Sequence, residues 1–101
     1  MTAREFFDTL EAKAEPDRIV GIEHTYVFSI EGEGRWLVTI GSGTVTVVES
    51  GDAMGDVVVT TSSETFARLA GRELNPMIAY MNGKLRIDGN LDAALKLKAL
   101  F

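Results

Sequence analysis

Apolar positions recur along this chain first with a helical period and then with a period of two, and the switches between them outline its elements. From Thr2 to about Ala14, Phe6, Phe7, Leu10 and Ala14 share one helical face, and Thr2-x-x-Glu5 has the spacing of a capping box. Pro16-Asp17 ends that helix. Thr25 to Glu31 alternates, with Tyr26, Phe28 and Ile30 on one side, and Arg35 to Ile40 repeats the pattern with Trp36, Val38 and Ile40. Gly32-Glu33-Gly34 between them predicts an antiparallel hairpin. Gly41-Ser42-Gly43 turns into a third strand, Thr44 to Glu49, and the polar loop Ser50 to Gly55 precedes a fourth, Asp56 to Thr61. A helix follows from about Ser62 to Arg72, with Phe66, Leu69 and Ala70 inward.

The stretch from Leu69 to Leu97 is the most strongly punctuated. Asn75 is a good N-cap, and Pro76 at the first helical position gives up an N–H that would have no partner there. Met77 to Met81 form the helix, and Gly83 supplies the left-handed residue that ends it. A short helix that is apolar all round is expected to be enclosed, or to line an enclosed space. Lys84 to Asp88 alternates as a strand buried on one face, and Gly89-Asn90 starts a last helix, Leu91 to Leu100. On that helix only Asp92 and Lys96 form a polar stripe. Leu91, Leu95 and Ala99 cover one flank, and Ala93, Ala94, Leu97, Leu100 and Phe101 another. Two apolar flanks suit either deep burial or a second contact with a ligand, a partner chain or a membrane. Met77 and Met81, one turn apart, are core filler or adaptable lining.

The order of elements is α+β: a helix, a four-stranded meander, two helices, a fifth strand and a closing helix. At 101 residues, 1–101 reads as one domain, able to bury about 60% of its unfolded surface. There are no cysteines, no apolar run of membrane-spanning length, no basic-then-apolar leader and no terminal Ser-Lys-Leu, so a cytoplasmic location is expected. The net charge of −5 argues against nucleic acid as a partner. Residues 1 to 67 carry four basic and twelve acidic side chains, whereas residues 68 to 101 carry six and three. The basic group comprises Arg68, Arg72, Lys84, Arg86, Lys96 and Lys98, either an anion-attracting end or a solvated face.

Catalytic equipment is sparse. His24 is the only histidine, and without cysteine it cannot build a two-residue nitrogen or sulfur metal site. It reads as structural or exposed. Ser62 and Ser63 look like helix caps, Glu31 and Glu33 flank a solvated turn, and the glycines satisfy turns without forming a phosphate loop. No enzyme activity, cofactor or metal is expected.

The ordered set Gly71, Asn75-Pro76, Ala79-Tyr80, Gly83-Lys84-Leu85, Ile87, Gly89-Asn90, Ala94 and Lys96-Leu97 resembles the sterol carrier protein type-2 domain, a small lipid-binding fold. More loosely the likeness runs upstream through Phe66, Asp56-Val57 and Gly43-x-Val45 to Trp36-x-Val38-x-Ile40, about four-fifths of the chain. It departs in having no tail after the last helix, which in several members helps close the lipid tunnel. The resemblance implies a five-stranded mixed, mostly antiparallel sheet covered by helices, the fifth strand beside the first, around an apolar cavity or tunnel.

It further implies non-catalytic binding or transfer of a long-chain fatty acid, fatty acyl-CoA or related lipid, with sterol less favoured. The expected lining is Trp36, Phe66, Met77, Tyr80, Met81, Leu91, Leu95 and Leu97, with Lys84, Arg86 and Lys98 near an acidic head. A dry, rigid pocket of roughly 300 Å³ would cost about 7 kcal/mol at ~24 cal/mol per Å³. That rivals the whole stability of such a domain, roughly 5 to 15 kcal/mol. A tunnel here is therefore expected to be filled, partly collapsed or sealed by another subunit. The rival reading is a homo-oligomerisation or protein-interaction module with no physiological lipid. Transient membrane contact and a weak homodimer through Leu97, Leu100 and Phe101 are further expectations.

Overall fold

The computed structural model describes residues 2–13, 16–52 and 54–97. The chain runs α1 (Ala3–Lys13), α2 (Pro16–Ile19), β1 (His24–Glu31), β2 (Gly34–Gly41), β3 (Thr44–Glu49), β4 (Val57–Ser62), α3 (Ser63–Ala70), α4 (Pro76–Met81), β5 (Leu85–Gly89) and α5 (Leu91–Leu95). The capping box at α1 is formed: the Glu5 amide donates to Thr2 Oγ1 at 3.2 Å, and Glu5 Oε1 accepts from the Thr2 hydroxyl at 3.1 Å. Glu33, in the first hairpin turn, adds to it by accepting from the Ala3 amide at 3.0 Å and from the Ser63 hydroxyl. Pro16 does more than stop α1. It opens the one-turn helix α2, a position proline favours, and delivers Ile19 and Ile22 to the core.

The sheet order is β3-β2-β1-β4-β5. The expected meander therefore covers only β1 to β3, because β4 crosses the sheet and pairs parallel with β1, Tyr26 opposite Val57 and Phe28 opposite Val59. Local polar contacts favour this placement. Thr25 N donates to Asp56 Oδ2 at 3.1 Å while Asp56 N donates to Thr25 Oγ1 at 2.8 Å, which sets the parallel register at the first pair. β5 then pairs antiparallel with β4, so the fifth strand lies at the edge and not beside β1. The sheet is mixed, as the resemblance implied, but the parallel pair is β1 with β4.

Alternation decides which side chains go inward. Tyr26, Phe28, Ile30, Trp36, Val38, Ile40, Val57, Val59 and Leu85 are buried beneath the helices. The other face carries Thr25, Ser29, Thr39, Thr46 and Thr60, crossed by the row Val48, Leu37, Val27 and Val58. Only Val27, on the central strand, is buried there. The outer edge of β3 is shielded by α1, where Glu11 Oε1 accepts from the Val47 amide at 2.6 Å. At the β5 edge, Arg86 and Asp88 form an exposed ion pair of 2.8 Å. Phe6 and Phe7 of α1 meet Phe66 of α3, and Phe7 stacks on Trp36 with ring centres 4.8 Å apart.

Candidate functional site

α4 is built as its sequence predicts, with Asn75 Oδ1 accepting from the Met77 amide at 2.8 Å and Gly83 closing the turn at φ +76°. Its packing differs from expectation. Only Pro76 and Ala79 are buried, while Ile78, Tyr80 and Met81 are 52%, 47% and 80% exposed and Met77 is intermediate. The helix is thus not enclosed. Two small residues three apart draw it onto the edge strand β5, and no described element lies beyond that strand to cover the larger side chains.

α5 shows the two flanks the sequence proposed. Asn90 caps it by accepting from the Ala93 amide at 3.0 Å, and Ala93, Ala94 and Leu97 face the core while Leu91 and Leu95 are 73% and 60% exposed. It ends at Leu95 with Lys96 as C-cap, well short of Leu100. Lys98, Leu100 and Phe101 lie outside the described residues, as does Ala14.

α4 precedes β5 and packs on it, and α5 follows β5 and packs on β1 and β4. The register Thr61 opposite Leu85 and Val57 opposite Gly89 therefore puts the two helices toward opposite ends of β5, over the same face. Between them runs the row Trp36, Phe28, Val59, Ile87. Its first three members are buried and Ile87 is only partly so; the helical cover runs out at this point. The eight apolar residues expected to line one wall thus fall into groups. Trp36, Phe66 and Leu97 belong to the core; Tyr80 and Met81 on α4 and Leu91 and Leu95 on α5 stay exposed toward the two ends of β5, an apolar rim in two parts, and Met77 is intermediate. Ile78 and Ile87 join the rim without having been singled out, although their place beside Met77 and within Leu85-x-Ile87 was a usable signal.

Among the expected head-group contacts, Arg86 is already paired with Asp88, while exposed Lys84 has no carboxylate partner among the described residues. A cleft of ≈240 Å³ lies elsewhere, lined by Phe7, Asp8, Glu11, Trp36, Val47 and Glu49. Its carboxylates repel an acidic head, and Arg4 spans it, 2.9 Å from Glu49 and 5.9 Å from the Trp36 ring centre.

His24, which the sequence left as structural or exposed, joins three segments. Its Nδ1 is 3.3 Å from Asp56 Oδ2, and its Nε2 is 3.1 Å from Asp92 Oδ2 on α5. Both carboxyls titrate below their usual value, Asp56 chiefly because the Thr25 amide donates to it and then through His24, Asp92 chiefly through Lys96 and then His24. Tyr26, buried beside them, donates to the Ala93 carbonyl at 2.6 Å. Desolvation first, then the two aspartates, pushes its hydroxyl up to about 12. The two ring nitrogens of His24 point to different carboxylates and do not converge on one point. Among the described residues no group of three or more His, Asp or Glu side chains is placed to hold a metal ion.

Hydroxysteroid dehydrogenase-like protein 2 of Homo sapiens is 32% identical over 100 residues, which cover 95% of this chain and 24% of that protein. The chain thus spans about a quarter of the length of such relatives. The solution structure of sterol carrier protein domain 2 of Helicoverpa armigera superposes with a TM-score of 0.78 at 31% identity, covering 95% of this chain and 82% of that one. Palmitated SCP2L2 from Aedes aegypti shares the fold at a TM-score of 0.79 and 22% identity, over 97% and 92% of the two chains. The SCP-2 sterol transfer family matches residues 5–101, and with this sheet, these helices and this motif set the chain belongs to that family.

Proposed function

We propose that this domain binds a long-chain fatty acid, fatty acyl-CoA or related lipid non-covalently, and that sterol is the less favoured ligand. Family membership supports lipid binding or transfer in general, in a fold that is generally non-catalytic. The observation that carries the finer reading is the exposure of Ile78, Tyr80 and Met81 on α4 and of Leu91 and Leu95 on α5, to either side of half-covered Ile87. An acyl chain laid across Ile87 removes those side chains from water at roughly 25 cal/mol per Å². Lys84, beside the start of β5, supplies a cation for an acidic head, with Arg86 and Lys98 as secondary contributors. The palmitated relative supports an acyl chain as the ligand class. The exposed apolar side chains also suit transient contact with a membrane that donates the lipid.

Native mass spectrometry after gentle purification tests this. Protein carrying one or more lipid masses supports the carrier; a lipid-free dimer held by the same rim overturns it in favour of an interaction module.

A further inference from the structure

We infer that His24 is a proton-dependent latch that holds α5 on the sheet and so governs how readily the rim beside it opens. The geometry is best satisfied by one protonation state. A neutral imidazole has one N–H and one lone pair, so it can donate to only one of two carboxylates and presents a lone pair to the other. Both of the ring's nitrogens face carboxylate oxygens, at 3.3 Å and 3.1 Å. Only the imidazolium donates to both, and it also places a positive charge between two negative ones.

The charged and titratable groups around the ring are few. Asp56 faces it from the loop before β4; Asp92 faces it from α5, where Lys96 Nζ shares the same oxygen at 3.1 Å; and the Tyr26 ring lies edge-on with centres 6.4 Å apart. Glu23 precedes it in the sequence, just before β1, and is exposed. Across the ladder on β2 stands Ile40, and β4 begins with Val57, so neither strand adds a charge there. Lys96 screens Asp92 but does not reach Asp56 through any contact, so the proton on His24 is what joins the two aspartates.

Apart from the small apolar contact of Ala93, Ala94 and the following Leu97 with the core, α5 has few ties to the sheet. It is five residues long, its large leucines face outward, and its other polar ties are the Tyr26 hydroxyl to Ala93 and the Asn90 amide to the Asp56 carbonyl at 2.9 Å. Loss of the ring's second proton therefore loosens α5 without unfolding the sheet. Imidazole is the side chain whose charge ordinarily changes between pH 5 and 8, and the test below spans that range. Its bearing on ligand exchange rests on the rim being the lipid site.

Amide hydrogen exchange, corrected for intrinsic rates, tests the latch. The Ala93 and Ala94 amides are expected to lose about fivefold in protection from pH 5.5 to pH 8, the change that about 1 kcal/mol produces, while the β1–β2 ladder holds. In His24→Gln and Asp92→Asn the α5 protection is expected to be low and equal at both pH values. Two variants are used so that one misfolded protein does not decide the matter. Unchanged α5 protection in the wild type, or the same loss in either folded variant, overturns the latch. Release of a fluorescent fatty acyl ester, whose own charge is constant, reads the consequence. Faster release at pH 8 in wild type but not in His24→Gln supports gating, and equal release at both pH values overturns it. If the ester fails to bind at all, the lipid site is wrong, while the exchange result still decides the latch.

Discussion

A Cβ placed on Gly89 would overlap the Asp56 carbonyl oxygen, at a backbone φ of +125° that side chains rarely adopt. Gly83, at φ +76°, has open space around it. Gly89→Ala is therefore expected to cost about 3 kcal/mol or more and Gly83→Ala about 1 kcal/mol, read from urea midpoints at unchanged slope. The rim makes the opposite kind of claim. Met81→Asp and Leu95→Asp should leave stability within about 0.5 kcal/mol yet weaken a fluorescent fatty acyl probe about tenfold, since each puts a charge where the chain would lie. Leu97→Ala, in the core, should cost ~2 to 5 kcal/mol. Equal destabilisation by all three substitutions would move the rim into the core. Caps at this scale were legible in the sequence, because Thr2 with Glu5, Asn75 with Met77 and Asn90 with Ala93 are two or three positions apart. The partners of His24 were not: Asp56 and Asp92 lie 32 and 68 positions away.

Elements were legible in type and less so in neighbourhood. Alternation marks a strand and its inner face, but says nothing of which strand it joins, so β4 read as the end of a meander. Beside the ladder itself, its register against β1 is marked by the two bonds between Thr25 and Asp56, which carry no periodic signature. The two-sided character of α5 was visible, whereas its stop at Leu95 was not, since no glycine marks it. Asp56 also links this level to acid stability. Its folded-state titration is depressed, mainly by the Thr25 amide, so its contribution is complete above the ordinary carboxylate value of about 4 and is lost as pH falls through the lower folded value. Asp92 acts in the same sense. Asp56→Asn should thus melt below the wild type at pH 6, with the gap closing toward pH 2.5. A constant gap across that range would show that the carboxylate's charge is not what matters.

Across the whole molecule, charge is divided. Three carboxylates ring the cleft between α1 and β3, and the basic excess follows residue 68 in the sequence. If Lys84 holds an acidic head, Lys84→Glu should weaken an acidic acyl probe several-fold more than Arg86→Glu, because Arg86 is already neutralised by Asp88. The difference should shrink at 0.5 M salt, where charges farther apart than a few Å no longer sense each other. Equal effects of the two substitutions would leave the head group without its cation.

The two margins of the sheet are guarded unequally. On β3 an α1 side chain already occupies a backbone donor, as Glu11 does for Val47. On β5, a strand of five residues, the deterrent to a foreign strand is an ion pair that water and salt can weaken. Replacing Arg86 and Asp88 together by valine should therefore turn this margin into a template for strand addition. Concentration-dependent assemblies rich in intermolecular β-structure should appear by light scattering and infrared spectroscopy, growing from β5 and sparing β3.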